Sequence, residues 1–278
     1  MRAGRRLGEE RLERRKHSTV DADEVNKFGA IGRAWWDVHG PQKALHSLNA
    51  LRVPFLQSML NQTISRLQAE KKQQRDVLED LSIVDVGCGG GILAEQLSHL
   101  GAHVLGIDAA KENIQVAEEH AKMRGMGPDG GEDGRKRGGS LTYRHVTADD
   151  LIREQRTFDV VVCSEVLEHV SDLRLMVNQL MQLVAPQGSL YITTMNKTVM
   201  SYGLGIVAAE RLLKLVPDGT HDWNKFVKPE DLTQQLTSAG FNVKRILGAA
   251  YNPLTNRWHP VPDLSVNYLL FAHKQAAN

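Results

Sequence analysis

Apolar positions along this chain fall into two alternating rhythms. Leu81 to Val86 is a short, mostly aliphatic run, too brief for a helix, and reads as a buried strand. Past the glycines that follow, Ile92, Leu93, Leu97 and Leu100 recur at helical spacing, with Gly101 where a helix C-cap belongs. A second apolar run, His103 to Ile107, leads into a helix from Lys111 to Arg124. Leu141 to Val146, Phe158 to Cys163 and Ser189 to Thr194 continue the series of strands. Leu173, Met176, Val177, Leu180, Leu183 and Val184 mark an amphipathic helix closed by Pro186 and Gly188. Pro229 and Gly240 bracket a helix over Glu230 to Ala239, and Val266 to Phe271 supplies the last strand. This alternation predicts an α/β domain, a doubly wound and mainly parallel sheet with helices on both faces.

Three stretches fall outside the rhythm. Residues 1–20 carry Arg2, Arg5, Arg6, Arg11, Arg14, Arg15 and Lys16 beside Glu9, Glu10 and Glu13. Organelle transit peptides are rich in arginine and poor in acids, so this charged, flexible tail matches half of that description. Residues 125–140 are polar and glycine-rich, a flexible insertion within one domain over 21–278. Residues 199–216 are apolar apart from Ser201, Glu210, Arg211 and Lys214. They are too short and too polar to span a bilayer, and suit a membrane-contact helix, a lid or a core helix.

Composition narrows the classes. At 278 residues and 41% hydrophobic, the chain can bury one sizeable core. A formal charge of +1 gives no global attraction to nucleic acid. Two cysteines, Cys88 and Cys163, exclude a disulfide framework and favour a reducing compartment.

Chemistry concentrates in the turn Asp85-Val86-Gly87-Cys88-Gly89-Gly90-Gly91-Ile92. A glycine-rich turn between strand and helix brings ligand close to bare backbone and to helix N-terminal amides. A tight structural turn is the bland alternative. Dinucleotide sites want G-x-G-x-x-G, whereas here Gly87, Gly89 and Gly91 alternate, position 92 is isoleucine, and Asp85 stands two residues ahead. That spacing resembles the E/D-x-G-x-G-x-G motif of S-adenosylmethionine-dependent methyltransferases. The resemblance implies that the acid helps hold the loop and the glycines face the methionine part of the cofactor. Asp108 lies 21 residues after Gly87, where an acid accepts both ribose hydroxyls. Capping the helix that begins near Lys111 is its alternative role.

Strand end Cys163 delivers a second cluster. On a helical turn, Glu165, Glu168 and His169 stand at i, i+3 and i+4 and share one face. Such a face suits a divalent ion, while acids at a helix N-terminus are also favourable without any ligand.

The runs VDVGCGGGILAE, SEVLEHV, GTHDWNKFVKPEDL, YNPLTN and VNYLL, in order, resemble the ubiquinone-biosynthesis O-methyltransferases, the animal ones above all. Upstream, Phe28, Trp35-Trp36-Asp37 and Leu45 to Arg52 continue the likeness; the 125–140 insertion and Arg33-Ala34 depart from it. The resemblance implies a Rossmann-like methyltransferase fold and cofactor contacts at Arg52, Gly87, Asp108 and Ser164, beside Asp85, Gly89 and Gly91. Arg52 would pair with the cofactor's carboxylate, and a backbone contact is expected at Ser164. Magnesium would sit on Glu165, Glu168 and His169, with Glu165 and His169 catalytic, or His169 would act as a general base without metal. Trp35 and Trp36 would serve as a lid or as anchors on the core. The implied substrate is a polyprenylated catechol-type ring, or demethylubiquinol. The implied setting is the matrix face of the mitochondrial inner membrane, as a peripheral protein among other ubiquinone-biosynthesis proteins. A dinucleotide-dependent oxidoreductase and a non-catalytic scaffold are the competing readings.

Overall fold

A computed structural model describes residues 19–63, 76–129, 139–198 and 226–276. The charged tail up to residue 18, most of the 125–140 insertion and the 199–216 segment lie outside the described residues. Among the described residues, two helices and a 3-10 turn precede the sheet: α1 (Ala22–Gly29), the turn Gly32–Trp36 and α2 (Lys43–Thr63). The alternating part runs β1 (Ser82–Val86), α3 (Ile92–His99), β2 (His103–Asp108), α4 (Lys111–Met123), β3 (Leu141–His145), α5 (Ala148–Arg153), β4 (Phe158–Ser164), α6 (Leu173–Leu183) and β5 (Val184–Met195). It closes with α7 (Pro229–Ser238), β6 (Phe241–Asn252), β7 (Arg257–Val261) and β8 (Asn267–Lys274).

The eight strands lie in the order β3-β2-β1-β4-β5-β8-β6-β7. β1 to β5 are parallel, and β8 runs antiparallel between β5 and β6. Strand order reverses between β1 and β4, so the carboxyl ends of these two strands open the crevice where ligands bind in such sheets. Two cores flank the sheet. One packs α2, α3 and α4 through Leu56, Leu97 and Ala117; the other packs α5, α6 and α7 through Leu151, Leu180 and Leu236. At about 25 cal/mol per Å² of apolar area, each such leucine contributes roughly 2 kcal/mol. The expected layers are present.

Two expectations need correction. β5 begins at Val184, five residues before Ser189, because Val184 pairs with Phe158 before a register shift lets Ser189 meet Val160. Pro186 and Gln187 (φ 59) occupy that irregularity, where proline costs no ladder bond. The hairpin β6–β7 was not expected, since Phe241 to Asn252 lacks a clean apolar alternation and β7 is largely exposed at the sheet edge.

Candidate active site

Three of the four glycines in the turn after β1 adopt a left-handed conformation that side chains avoid: φ is 74° at Gly87, 54° at Gly89 and 89° at Gly91. The amides of Gly87 and Cys88 donate to Ile107 O, which ties the turn to the end of β2. From β2, Asp108 reaches across. Its Oδ2 accepts from Gly89 N (2.9 Å), while Oδ1 accepts from Ala110 N (2.7 Å) and Asn113 Nδ2 (3.2 Å). Asp108 therefore braces both the glycine loop and the approach to α4, whose N-cap is Ala110, so it supports the start of the helix without capping it.

The tryptophan pair covers this loop. Trp35 is 6% exposed, lies against Gly89 and Gly90, and donates from Nε1 to Asn113 Oδ1 (2.9 Å). Trp36 donates to Gly90 O (2.9 Å) and stacks on His120 with ring centroids 3.4 Å apart. His120 in turn pairs with Glu95 at 2.8 Å.

Arg52 enters from α2 and is 3% exposed. It donates to Asn49 Oδ1 (2.7 Å) and to the Ser164 hydroxyl (2.8 Å), so Ser164 uses its side chain in addition to any backbone contact. Burial opposes the Arg52 charge, and the neighbouring Asp85 supports it. Asp85 is 2% exposed, and its Oδ2 has no hydrogen-bond partner among the described residues. Burial pushes its pKa up to about 7 despite the attraction of Arg52. A buried cation, an unsatisfied buried carboxylate oxygen and Asp108 at the next strand end form a donor set suited to a zwitterionic amino-acid end and a ribose diol.

At the end of β4 the expected helical turn is absent. Glu165 takes a left-handed φ of 58°, and only Leu167–His169 form a 3-10 turn, so the three residues do not share a helical face. The cause is a bond to the neighbouring strand: Glu165 N donates to Thr193 O of β5, which holds the residue in line with the sheet. Thr193 Oγ1 donates to Glu165 Oε1 (2.6 Å), and Thr194 Oγ1 donates to Glu168 Oε2 (2.7 Å). The two carboxylates still feel each other, and the Glu165 pKa is raised, first by burial and then by Glu168. His169 instead turns its Nδ1 to Glu24 of α1 (2.9 Å). Among the described residues no three His, Cys, Asp or Glu side chains come together as a metal cluster. The expected magnesium set of Glu165, Glu168 and His169 does not fit an ion in this arrangement.

Glu24, Trp35, Arg52, Asp85, Gly87, Gly89, Asp108, Asn113, Ser164, Glu165, Glu168 and His169 line one cavity of about 250 Å³ together with Val20, Val25 and Phe28, while Gly91 lies off it, where a Cβ would meet Tyr143 and Ala117. Sequence reasoning missed Glu24, Asn113 and the threonine pair. In the sequence, Phe28 carries only a family likeness.

A methyltransferase domain family matches residues 54–246. The fold is also that of magnesium protoporphyrin IX methyltransferase from Synechocystis PCC 6803 with bound S-adenosylmethionine, at TM-score 0.52, 17% identity and coverage of 93% of this chain and 100% of that one. Sheet order, glycine turn and matching family together define an S-adenosylmethionine-dependent methyltransferase. Human "Ubiquinone biosynthesis O-methyltransferase, mitochondrial" is 43% identical over 265 residues, 95% of this chain and 68% of the human protein. "Ubiquinone biosynthesis O-methyltransferase" of Rhizobium etli is 37% identical over 93% of this chain and 98% of its own length. The chain belongs to the ubiquinone biosynthesis O-methyltransferase family. It spans about two thirds of the length of the animal relatives. The fold places it apart from G-x-G-x-x-G dinucleotide enzymes, and the family sets aside a non-catalytic scaffold.

Proposed function

We propose that the chain methylates a ring hydroxyl of a polyprenylated catechol-type or demethylubiquinol substrate, with both reactants held in the cavity at the ends of β1 and β4. The observation that carries this reading is the convergence on that cavity of Arg52, Asp85, the glycine turn and Asp108 with Glu165 and His169. S-adenosylmethionine, when bound, supplies an electrophilic methyl group on a sulfonium. Arg52 would take the cofactor's carboxylate, Asp85 its ammonium, and Asp108 its ribose, while the bare backbone of Gly87 and Gly89 would admit its close approach. Ser164 keeps Arg52 aimed.

A phenol, with a pKa near 10, is a weak nucleophile at neutral pH. His169 would take the hydroxyl proton on its ring nitrogen and so make the oxygen nucleophilic toward the methyl group that the cofactor would supply. Glu165 supports the imidazolium that results. Holding the two reactants in register can supply about 7–11 kcal/mol of the barrier in well-oriented systems. Turnover of a short-tailed catechol with S-adenosylmethionine tests the reading, and His169→Gln should remove it while cofactor affinity stays within about twofold. Full turnover in His169→Gln would refute the role of His169.

A second reading keeps magnesium. Two buried carboxylates that repel each other across Glu165 and Glu168 favour a cation, provided the turn rearranges. Loss of turnover on thorough chelation, restored by magnesium, would support it. The setting we propose is the matrix face of the mitochondrial inner membrane, at its surface and beside other ubiquinone-biosynthesis proteins. Support comes from the animal relatives, which are named mitochondrial, and from the lipid tail of the substrate. Among the described residues no helix is long and apolar enough to cross a membrane. Aspartates at Leu204 and Val207 should reduce liposome co-sedimentation and turnover of long-tailed substrate while sparing a short soluble analogue.

A further inference from the structure

We propose that Glu24 is a positioning residue that fixes the tautomer and the orientation of His169 for methyl transfer. The inference rests on the reading that His169 serves the substrate hydroxyl, and adds the residue that prepares it.

Glu24 sits in the first turn of α1, whose start is fixed by Asp21 accepting from the amides of Asp23 and Glu24. Its Oε2 lies 2.9 Å from His169 Nδ1, with the two side chains 21% and 13% exposed. Lys27 adds a cation 4.0 Å from the same oxygen. One turn further along α1, Phe28 meets the imidazole edge-on, with ring centroids 4.8 Å apart at 76°. Residues four apart on a helix share a face, so one face of α1 grips the ring twice, by its nitrogen and by its plane. Glu24, Phe28 and His169 all line the cavity.

The chemistry follows from what a carboxylate can do. An ionised carboxylate only accepts hydrogen bonds, so the Nδ1 it faces carries the proton and Nε2 carries the lone pair. A neutral imidazole left to itself divides between two tautomers, and only one can take a proton at Nε2. When His169 gains that proton, the Glu24 carboxylate stands beside the new cation at 2.9 Å. The same partner would suit His169 as a metal ligand through Nε2, since ligating histidines commonly give the other ring N–H to a carboxylate. An anchoring role alone is the competing explanation, because α1 has no buried residue of its own.

The test uses the full chain with 15N-labelled histidine, cofactor-free and with S-adenosylhomocysteine bound. His169 signals in long-range 1H–15N spectra are assigned by their loss in His169→Gln. The wild type should show protonation at Nδ1. Glu24→Leu should move the proton to Nε2 and lower kcat by about 10- to 100-fold, the range for loss of a supporting partner, with KM for the cofactor within about twofold. Glu24→Gln can present an amide oxygen or an amide N–H, so it should give mixed tautomers and an intermediate kcat. It carries the same test should Glu24→Leu fail to fold. An Nε2-protonated wild type, or a Glu24→Leu protein with unchanged tautomer and kcat, would overturn the proposal. So would losses confined to KM and thermal stability. Turnover surviving in His169→Gln defeats the reading of His169 itself; an inactive His169→Gln beside a fully active Glu24→Leu defeats Glu24 alone.

Discussion

Replacing Asp108 probes the loop and the cofactor together. Its two oxygens accept three donors, from Gly89, Ala110 and Asn113, and the last of these also receives the Trp35 indole N–H. Asp108→Asn keeps the volume but turns one oxygen into a donor. That donor must face either the Gly89 amide or the Ala110 and Asn113 donors, so one side of the brace becomes a repulsive pair. Burial has already raised the Asp108 pKa, so neutralising the group relieves a desolvation cost and the net stability loss stays small. Ligand binding has no such offset, because a ribose diol needs acceptors at this strand end. A hydrogen bond to a charged group contributes about 1.5–3 kcal/mol, which corresponds to roughly 10- to 150-fold in affinity. Calorimetric titration with S-adenosylhomocysteine should therefore show that loss in Asp108→Asn and at least as much in Asp108→Ala. A folded Asp108→Ala protein with wild-type affinity would refute the ribose role and leave Asp108 as a brace for the loop and α4.

Asp85 has a folded pKa of about 7, above the ordinary value of roughly 3.9. Its protonation therefore stabilises the fold, fully below about pH 4, and that contribution is lost as pH rises through about 7. Between pH 5 and 7 the cofactor-free wild type should lose roughly 2–3 kcal/mol relative to Asp85→Asn in urea melts; parallel pH dependences would count against it. Gly89→Ala places a Cβ 2.5 Å from the Trp35 ring at φ +54°, for which about 2–5 kcal/mol of destabilisation is expected. An unchanged melting temperature and unchanged Trp fluorescence would contradict the described packing of Trp35. Thr193→Val removes the donor to Glu165 Oε1 and should cost about 1–3 kcal/mol together with turnover, whereas Thr193→Ser should restore both; equal behaviour of the two variants would show the hydroxyl to be dispensable.

Much of the fold was legible because its signals are local. The glycine turn announces itself by spacing, and the left-handed φ at Gly87, Gly89 and Gly91 is the physical reason those residues are glycine. Buried parallel strands such as β4, apolar and buried from Val160 to Cys163, read as continuous apolar runs since both faces are covered. β6 was illegible for the opposite reason: its burial is mixed along its length, so neither rhythm appears. At the site, residue identity was readable and conformation was not. Glu165, Glu168 and His169 were picked out together, yet a bond from Glu165 N to β5 overrode the helical spacing. Glu24 meets His169 across 145 residues of sequence, and Thr193 meets Glu165 across 28. Pairings of that kind depend on sheet order and on how α1 folds back, which no window of sequence contains.

The place of β8 has a consequence for how the protein is made. This strand is synthesised after β5 and β6, yet it is wedged between them, with Tyr268, Leu269, Leu270, Phe271 and Ala272 all at most 1% exposed. Until residue 274 has left the ribosome, β5 presents an unpaired edge and β6 has no neighbour joining it to the parallel strands. A nascent chain halted before Asn267 therefore exposes Tyr191 and Ile192 beside an open ladder, the kind of surface that pairs with other chains or engages chaperones. Completion of the sheet therefore waits on its last strand, and the crevice between β1 and β4 gains its full support only once β8 has paired.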